Sequence, residues 1–212
     1  MQPEGAGPAP ACGAPWDPPW LVLDACVLMS SIVRPLLLDL AREGWFRPLW
    51  SERIGAEWRR NAARIWGTPP AELERAWQAM QRAHPQADVG DAASYEVGLR
   101  YSDPKDHHVI AAGLAARARA QLQGRPTVRV LTWNLKDFNR AELKRQDMSA
   151  WDPDRQLAQW FELDPRRLAA ALEQARRYAL ARGRDEPLAD TLHRERLFRT
   201  QRLLAASNQR NS

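Results

Sequence analysis

The sequence predicts an α/β fold with a largely parallel sheet. Two short apolar runs, LVLDACVL at 21–28 and TVRVLTW at 127–133, have the composition of buried strands. Stretches with helical spacing, bounded by caps and glycines, lie between and after them. Strands that alternate with helices build parallel sheets, because a parallel pair needs a long crossover.

The elements follow in chain order. Residues 1–20 hold six of the sixteen prolines, with glycine and alanine between, so 1–19 is expected to be a flexible leader whose end Trp16 and Trp20 anchor. The run 21–28 is of strand type, interrupted by one acid, Asp24. Ser30 and Ser31 offer a helix start, VRPLLLDLARE (33–43) is helical in pattern, and Gly44 closes it. WFRPLW (45–50) reads as a loop or a brief strand. Ser51 caps a helix over 51–66, and Gly67 ends it. Pro69-Pro70 open a helix over 70–83, where Leu73, Trp77 and Met80 share a face. VGDAASYEVGL (89–99) fits neither pattern.

A further helix is expected over 101–122, with Asp103 as N-cap, Pro104 at the first helical position and Gly124 at its end. After the second strand, NLKDF (134–138) reads as a turn. Helices over 165–181 and, after Pro187, 190–206 make a tail in which Leu168, Leu172 and Ala175 form a packing stripe. The expected organisation is a leader (1–19), an α/β domain (20–164) and an arginine-rich helical tail (165–212). No internal repeat is visible.

Composition narrows the function classes. A chain of 212 residues, 44% hydrophobic, buries a sizeable core and is not disordered throughout. No apolar run approaches the ~20 residues of a membrane span. No basic region followed by an apolar one marks a signal peptide, so a cytoplasmic location is expected. Cys12 and Cys26 make neither a disulfide framework nor a four-thiolate zinc site. The net charge of +5 is unevenly placed. Residues 165–212 carry 11 arginines against 5 acids, whereas residues 1–164 carry 20 basic and 21 acidic groups. The basic character belongs to the tail, which is either a surface for polyanions or a solvated helical face.

The acids carry the chemistry. Ligands in parallel α/β sheets bind outside the carboxyl ends of the strands, so acids that follow 21–24 and 128–133 should share one site. Asp24 sits inside an apolar run, where a carboxylate is costly unless paired or bound to a metal. Glu57 edges the face of its helix that carries Ile54, Trp58, Asn61 and Ile65; taken alone, a surface glutamate paired with Arg53, Arg60 or Asn61 explains it slightly better. Asp103 is explained as a cap. Asp106, one turn in, is less needed for capping. Asn134 and Asp137 follow the second strand and also suit a plain turn. His107 and His108 are adjacent, point about 100° apart on a helix, and have no cysteine beside them, so they read as structural or solvent-facing, with one of them facing the site as the alternative. Cys26 reads as a buried small hydrophobe. Carboxylates without a cysteine or histidine cage suit a hard cation, Mg²⁺ or Mn²⁺, of the kind that serves phosphoryl chemistry.

The order LVLDACVL, SERIGAEW, DPKDHHVIAAG, VLTWNLKDF resembles a PIN domain, and within that group the VapC-type ribonuclease toxins of bacterial toxin–antitoxin modules. The resemblance covers about residues 20–164. It implies a three-layer α/β/α sandwich and a Mg²⁺- or Mn²⁺-dependent endoribonuclease, homodimeric and inhibited by a cognate antitoxin. Its substrates would be structured transfer or ribosomal RNAs. It also implies that Asp24, Glu57, Asp106 and Asp137 are the catalytic, metal-holding acids. Asp103 stands beside them, and Asn134 competes with Asp137 for the last position. The leader and the basic tail depart from the minimal pattern. A phosphatase of the haloacid-dehalogenase type needs a second acid where Cys26 stands, and receiver domains lack the later acids. A non-catalytic RNA-binding or scaffold protein on the same fold is the alternative.

Overall fold

The computed structural model describes residues 17–120 and 126–210. The expected leader up to Trp16, Cys12, and the end of the 101–122 helix with Gly124 lie outside the described residues. Four strands and ten α-helices are formed among those described: β1 (Trp20–Leu23), α1 (Ala25–Leu28), α2 (Val33–Arg42), β2 (Arg47–Leu49), α3 (Glu52–Trp66), α4 (Pro70–Ala83) and α5 (His107–Ala120) come first. They are followed by β3 (Val128–Leu131), α6 (Arg140–Arg145), β4 (Met148–Trp151), α7 (Pro153–Leu163), α8 (Pro165–Leu180), α9 (Leu188–Arg194) and α10 (Phe198–Arg210). No helix among the described residues is long and apolar enough to cross a membrane.

The chain divides into two compact units. One comprises Asp17–Met29 and Phe46–Trp151; the other comprises Ser30–Trp45 and the chain from Asp152 onward.

The first unit is built on an all-parallel sheet in the order β2-β1-β3-β4. Leu21, Val22 and Leu23 of the central β1 are fully buried, as strands covered on both faces must be. Helix α5 packs on β1, β2 and β3. It is rich in alanine and buried along most of its length, so it has no polar stripe. Gly113 lets α5 approach closely: a Cβ there would collide with Met148 and come within 3.2 Å of Val128. On α3, Gly55 leaves room for the Trp77 ring of α4, which a Cβ would overlap. Trp77 meets Trp50 at 5.7 Å and Trp58 at 6.2 Å between ring centroids, and this aromatic cluster locks α4 to α3.

In the second unit α8 packs on α2, α7 and α9, and α10 packs on α7 and α9. The expected stripe of Leu168, Leu172 and Ala175 is buried. Trp45 and Trp160 lie 5.8 Å apart between ring centroids, with the Arg167 guanidinium over Trp45. Asp154 of α7 is buried because it serves the start of α10, accepting from the backbone N–H groups of Arg199 and Thr200 and from the Thr200 hydroxyl.

Several expectations are corrected. The run 21–28 is a strand only to Leu23. Asp24 then caps the short α1, because its carboxylate accepts from the N–H of Cys26. The helix expected from 101 starts as a 3-10 turn at Pro104–Asp106 and becomes α-helical at His107. The tail helix expected over 190–206 is two helices, broken where Arg196 takes a positive φ of 60°. WFRPLW does contain a brief strand, β2.

Candidate functional site

The chain leaves β1 for β2 on one side and later returns to β3 on the other. The crevice outside the carboxyl ends of two such strands is where open α/β sheets bind ligands. Asp24 is the first residue after β1 and Thr132 the first after β3, and Leu23 and Leu131 are register partners. The Thr132 hydroxyl donates to Asp24 Oδ2 at 2.6 Å, and the Cys26 thiol donates to the same oxygen at 3.1 Å. Oδ1 has only a long bond of 3.4 Å from the Cys26 N–H. Asp24 is 3% exposed, so it is a buried carboxylate held by neutral donors with one oxygen lightly committed. Burial, and then the charge of Asp24, push the Cys26 thiol far up, which keeps it protonated as a donor. Cys26 is therefore a polar partner of Asp24 and not the inert small hydrophobe expected. Its sulfur also accepts from the Trp133 N–H.

Two matching 3-10 turns bring the next acids. Pro104–Asp106 follows Asp103, and Leu135–Asp137 follows Asn134. The backbone N–H of Asp103 donates to the carbonyl of Asp137 at 2.8 Å and joins the two turns. The Asp103 carboxylate caps its own turn through the Lys105 N–H at 2.9 Å. Asp106 and Asp137 each end a turn, partly buried. Among the described residues neither carboxylate has a hydrogen-bond or ion-pair partner. Burial, then the charges of Asp24, Asp137, Asp103 and Glu57, push the Asp106 carboxyl up to about 6. Four other acids, Asp103 in its own turn and Asp24, Asp137 and Glu57 from three separate segments, thus act on Asp106 at this end of the sheet. The Asn134 side chain is exposed in the same turn.

Glu57 reaches the site from α3. Its Oε2 lies 3.1 Å from Nε2 of His108 in the first turn of α5. The His108 ring holds Glu57 below the ordinary carboxylate range; Arg60 and Arg53 add to this, and burial opposes it. His108 is 4% exposed, yet neither ring nitrogen makes a well-aligned hydrogen bond. Its neighbour His107 places Nε2 3.1 Å from the carbonyl of Ser102.

As the side chains stand, no three His, Cys, Asp or Glu among the described residues are grouped to hold a metal ion between them. Three of the acids are engaged with other partners: Asp24 with Thr132 and Cys26, Glu57 with His108, and Asp103 with its own turn. The donors left over are the carboxylates of Asp106 and Asp137. All are hard oxygens, which suits Mg²⁺ or Mn²⁺ and not a softer ion.

Two participants, Thr132 and Glu142, escape sequence reasoning, and His108, expected to be structural or solvent-facing, instead faces Glu57. Glu142 of α6 is buried and accepts from the backbone N–H groups of Arg100, Tyr101 and Ser102 at 2.7, 3.2 and 2.8 Å, fixing the segment that leads into Asp103. Burial alone would push its carboxyl up. The Arg100 N–H, the Ser102 hydroxyl and the other two N–H groups outweigh that and hold it at about 2. The only advance signal for Thr132 is its place at the carboxyl end of β3. Compared with known proteins, the chain matches no family model, no curated protein and no solved structure.

Proposed function

We propose that the chain is a Mg²⁺- or Mn²⁺-dependent endoribonuclease on a PIN-like sandwich with a helical C-terminal tail, acting in the cytoplasm as the toxin of a toxin–antitoxin pair. The observation that carries this reading is that the charges of Asp24, from the end of β1, of Asp137, from the turn after β3, and of Glu57, from α3, all act on Asp106 in the turn before α5. Cumulative repulsion on Asp106 is the electrostatic cost of a site made to receive cationic charge.

The residues that would hold the ion are Asp24, Asp106 and Asp137, with Glu57 at the edge. A divalent ion bound there supplies activation of water and neutralisation of the phosphate. The chain's own residues do the rest. Thr132 and Cys26 fix Asp24 through Oδ2 and leave Oδ1 turned to other work. His108 keeps Glu57 ionised, so that Glu57 accepts a hydrogen bond from the attacking water and orients it. The loop held by Glu142 sets the position of Asp103 and Asp106. A cognate antitoxin, a homodimer and transfer or ribosomal RNA as substrate belong to the same proposal and rest on the sequence resemblance.

The test maps RNA ends in cells after brief induction of the wild-type chain and of Asp24→Asn. New ends at defined positions that vanish in the variant support the reading. Identical end profiles from the two chains, with no effect of Mg²⁺ or Mn²⁺ on thermal stability, would favour the non-catalytic RNA-binding scaffold.

A further inference from the structure

His108 is a polar side chain that the packing of α5 does not need. It is 4% exposed, and neither ring nitrogen has a well-aligned hydrogen bond. A buried polar group left in that state costs free energy. An apolar residue would fill the place without that cost, as Val109, Ile110 and Ala111 do next to it. The ring is nonetheless aimed at the acids. Its Nε2 stands 3.1 Å from Oε2 of Glu57, and the charge of Glu57 acts on Asp106. Nδ1 has no partner whichever role Nε2 takes, so Nε2 alone distinguishes the roles.

At 3.1 Å the separation permits a hydrogen bond, so it is the direction that fails. Neighbouring donors on one six-coordinate ion, each about 2.1 Å from it, lie ~3.0 Å apart. In such a pair the nitrogen lone pair points at the ion, ~45° away from the line to the oxygen. A hydrogen bond along that line is then bent beyond use. The contact distance and the missing alignment are together those of two ligands of one ion.

We infer that His108 is a metal ligand: its Nε2 and the Glu57 carboxylate hold the ion of the acid site together. The inference rests on the metal-dependent reading and deepens it by adding a nitrogen to a set of hard oxygens. Asp106, uncommitted and within reach of the Glu57 charge, is the third donor. Imidazole is a borderline donor that serves transition ions and that hard Mg²⁺ seldom takes. The site therefore prefers Mn²⁺ to Mg²⁺. Arg60 and Arg53 also act on Glu57, but they repel both divalent ions alike and do not alter the ranking.

The test records electron spin-echo modulation from Mn²⁺ added alone to the EDTA-stripped full chain. The wild type should show ¹⁴N modulation from a directly bound imidazole, replaced by the ¹⁵N pattern when histidine is labelled. His107→Gln should keep it. His108→Gln, which retains an N–H for Glu57, should lose it. The same variant should weaken Mn²⁺ binding by about tenfold or more and Mg²⁺ binding by less than about threefold. Should His108→Gln fail to fold, the variant carrying His84→Gln, His107→Gln and His193→Gln leaves His108 as the one histidine of the chain, and its modulation decides. No nitrogen modulation in the wild type would overturn the inference, as would modulation that survives His108→Gln or an equal loss of both ions in that variant. Failure of the enzyme reading is separable. A chain that cleaves no RNA but shows the histidine modulation refutes the nuclease and keeps the ligand. A chain that cleaves RNA with Mn²⁺ and shows no modulation refutes the ligand alone.

Discussion

The hydroxyl of Thr132 donates to Oδ2 of Asp24 across 2.6 Å and so joins the residue after one central strand to the residue after the other. The acid that begins the site is held by a neutral donor on the strand beside it. Thr132→Val keeps the shape and removes the donor. It should cost ~1–2 kcal/mol in urea unfolding without metal. It should also lower RNA cleavage by about ten- to a hundredfold at limiting Mn²⁺, as lost support of a metal-holding residue does. Thr132→Ser should restore most of both.

Asp106 stands at the focus of the like charges, with its carboxyl raised to about 6 from an ordinary 3.8. A carboxyl raised by folding stays protonated in the native state to a higher pH, so its ionisation weakens the fold as pH climbs from about 4 through 6. Asp106→Asn removes that strain. In EDTA at pH 8 it should be more stable than wild type by ~1–2 kcal/mol, after discounting for solvent screening, and the gain should vanish near pH 3. Mn²⁺ should raise the Tm of the wild type and leave that of Asp106→Asn nearly unchanged. Thermal unfolding at the two pH values checks both statements.

Glu142 shows the opposite sign. Its carboxyl is held at about 2, below the ordinary 4.5, so its stabilisation is complete above about 4.5 and is lost as pH falls from there towards 2. Glu142→Gln should flatten acid unfolding in that window and cost ~2–3 kcal/mol at pH 7, because three backbone N–H groups lose a charged acceptor. Since those groups precede Asp103, the variant should also cleave RNA more slowly when measured well below its unfolding temperature.

Gly55→Ala is a gain of helix propensity that should nonetheless destabilise. The added methyl overlaps the Trp77 ring, which is wedged against Trp50 and Trp58 and cannot swing away. A net loss of ~1–3 kcal/mol is expected by denaturant unfolding.

Asn134 and Asp137 separate on charge. Asp137 acts on Asp106, while the Asn134 side chain is exposed. Asp137→Asn should lower cleavage by on the order of a hundredfold, and Asn134→Ala by no more than a few-fold.

The two central strands were legible because buried parallel strands leave mainly apolar runs, as at 21–23 and, Arg129 apart, 128–131. Helix limits were legible where the chemistry of a cap is local, as at Ser51, Gly67 and Pro70. The stretch 140–163 gave no element in advance. Its strand, MSAW, has one buried residue at its first position and no alternation to read, and α6 is only six residues long. Of the site, the acids could be named because a carboxylate in an apolar run or beyond a strand end is anomalous by itself. Thr132 and Glu142 are ordinary residues in their own neighbourhoods, and His108 stood out only as half of a histidine pair. Their roles exist only through partners 108, 51 and 42 positions away along the chain.

The division of the chain bears on how it is made. Helix α2 belongs with α8 in one compact unit, yet three of the four strands, β2, β3 and β4, lie between them in sequence. At a ribosome's pace of ~5–20 residues per second, α2 emerges roughly 6–25 seconds before α8 exists to pack against it. Through that interval Val33, Leu36, Leu37 and Leu40, all buried in the finished molecule, have no α8 to cover them. The helical unit therefore closes only after β2, β3 and β4 have been made.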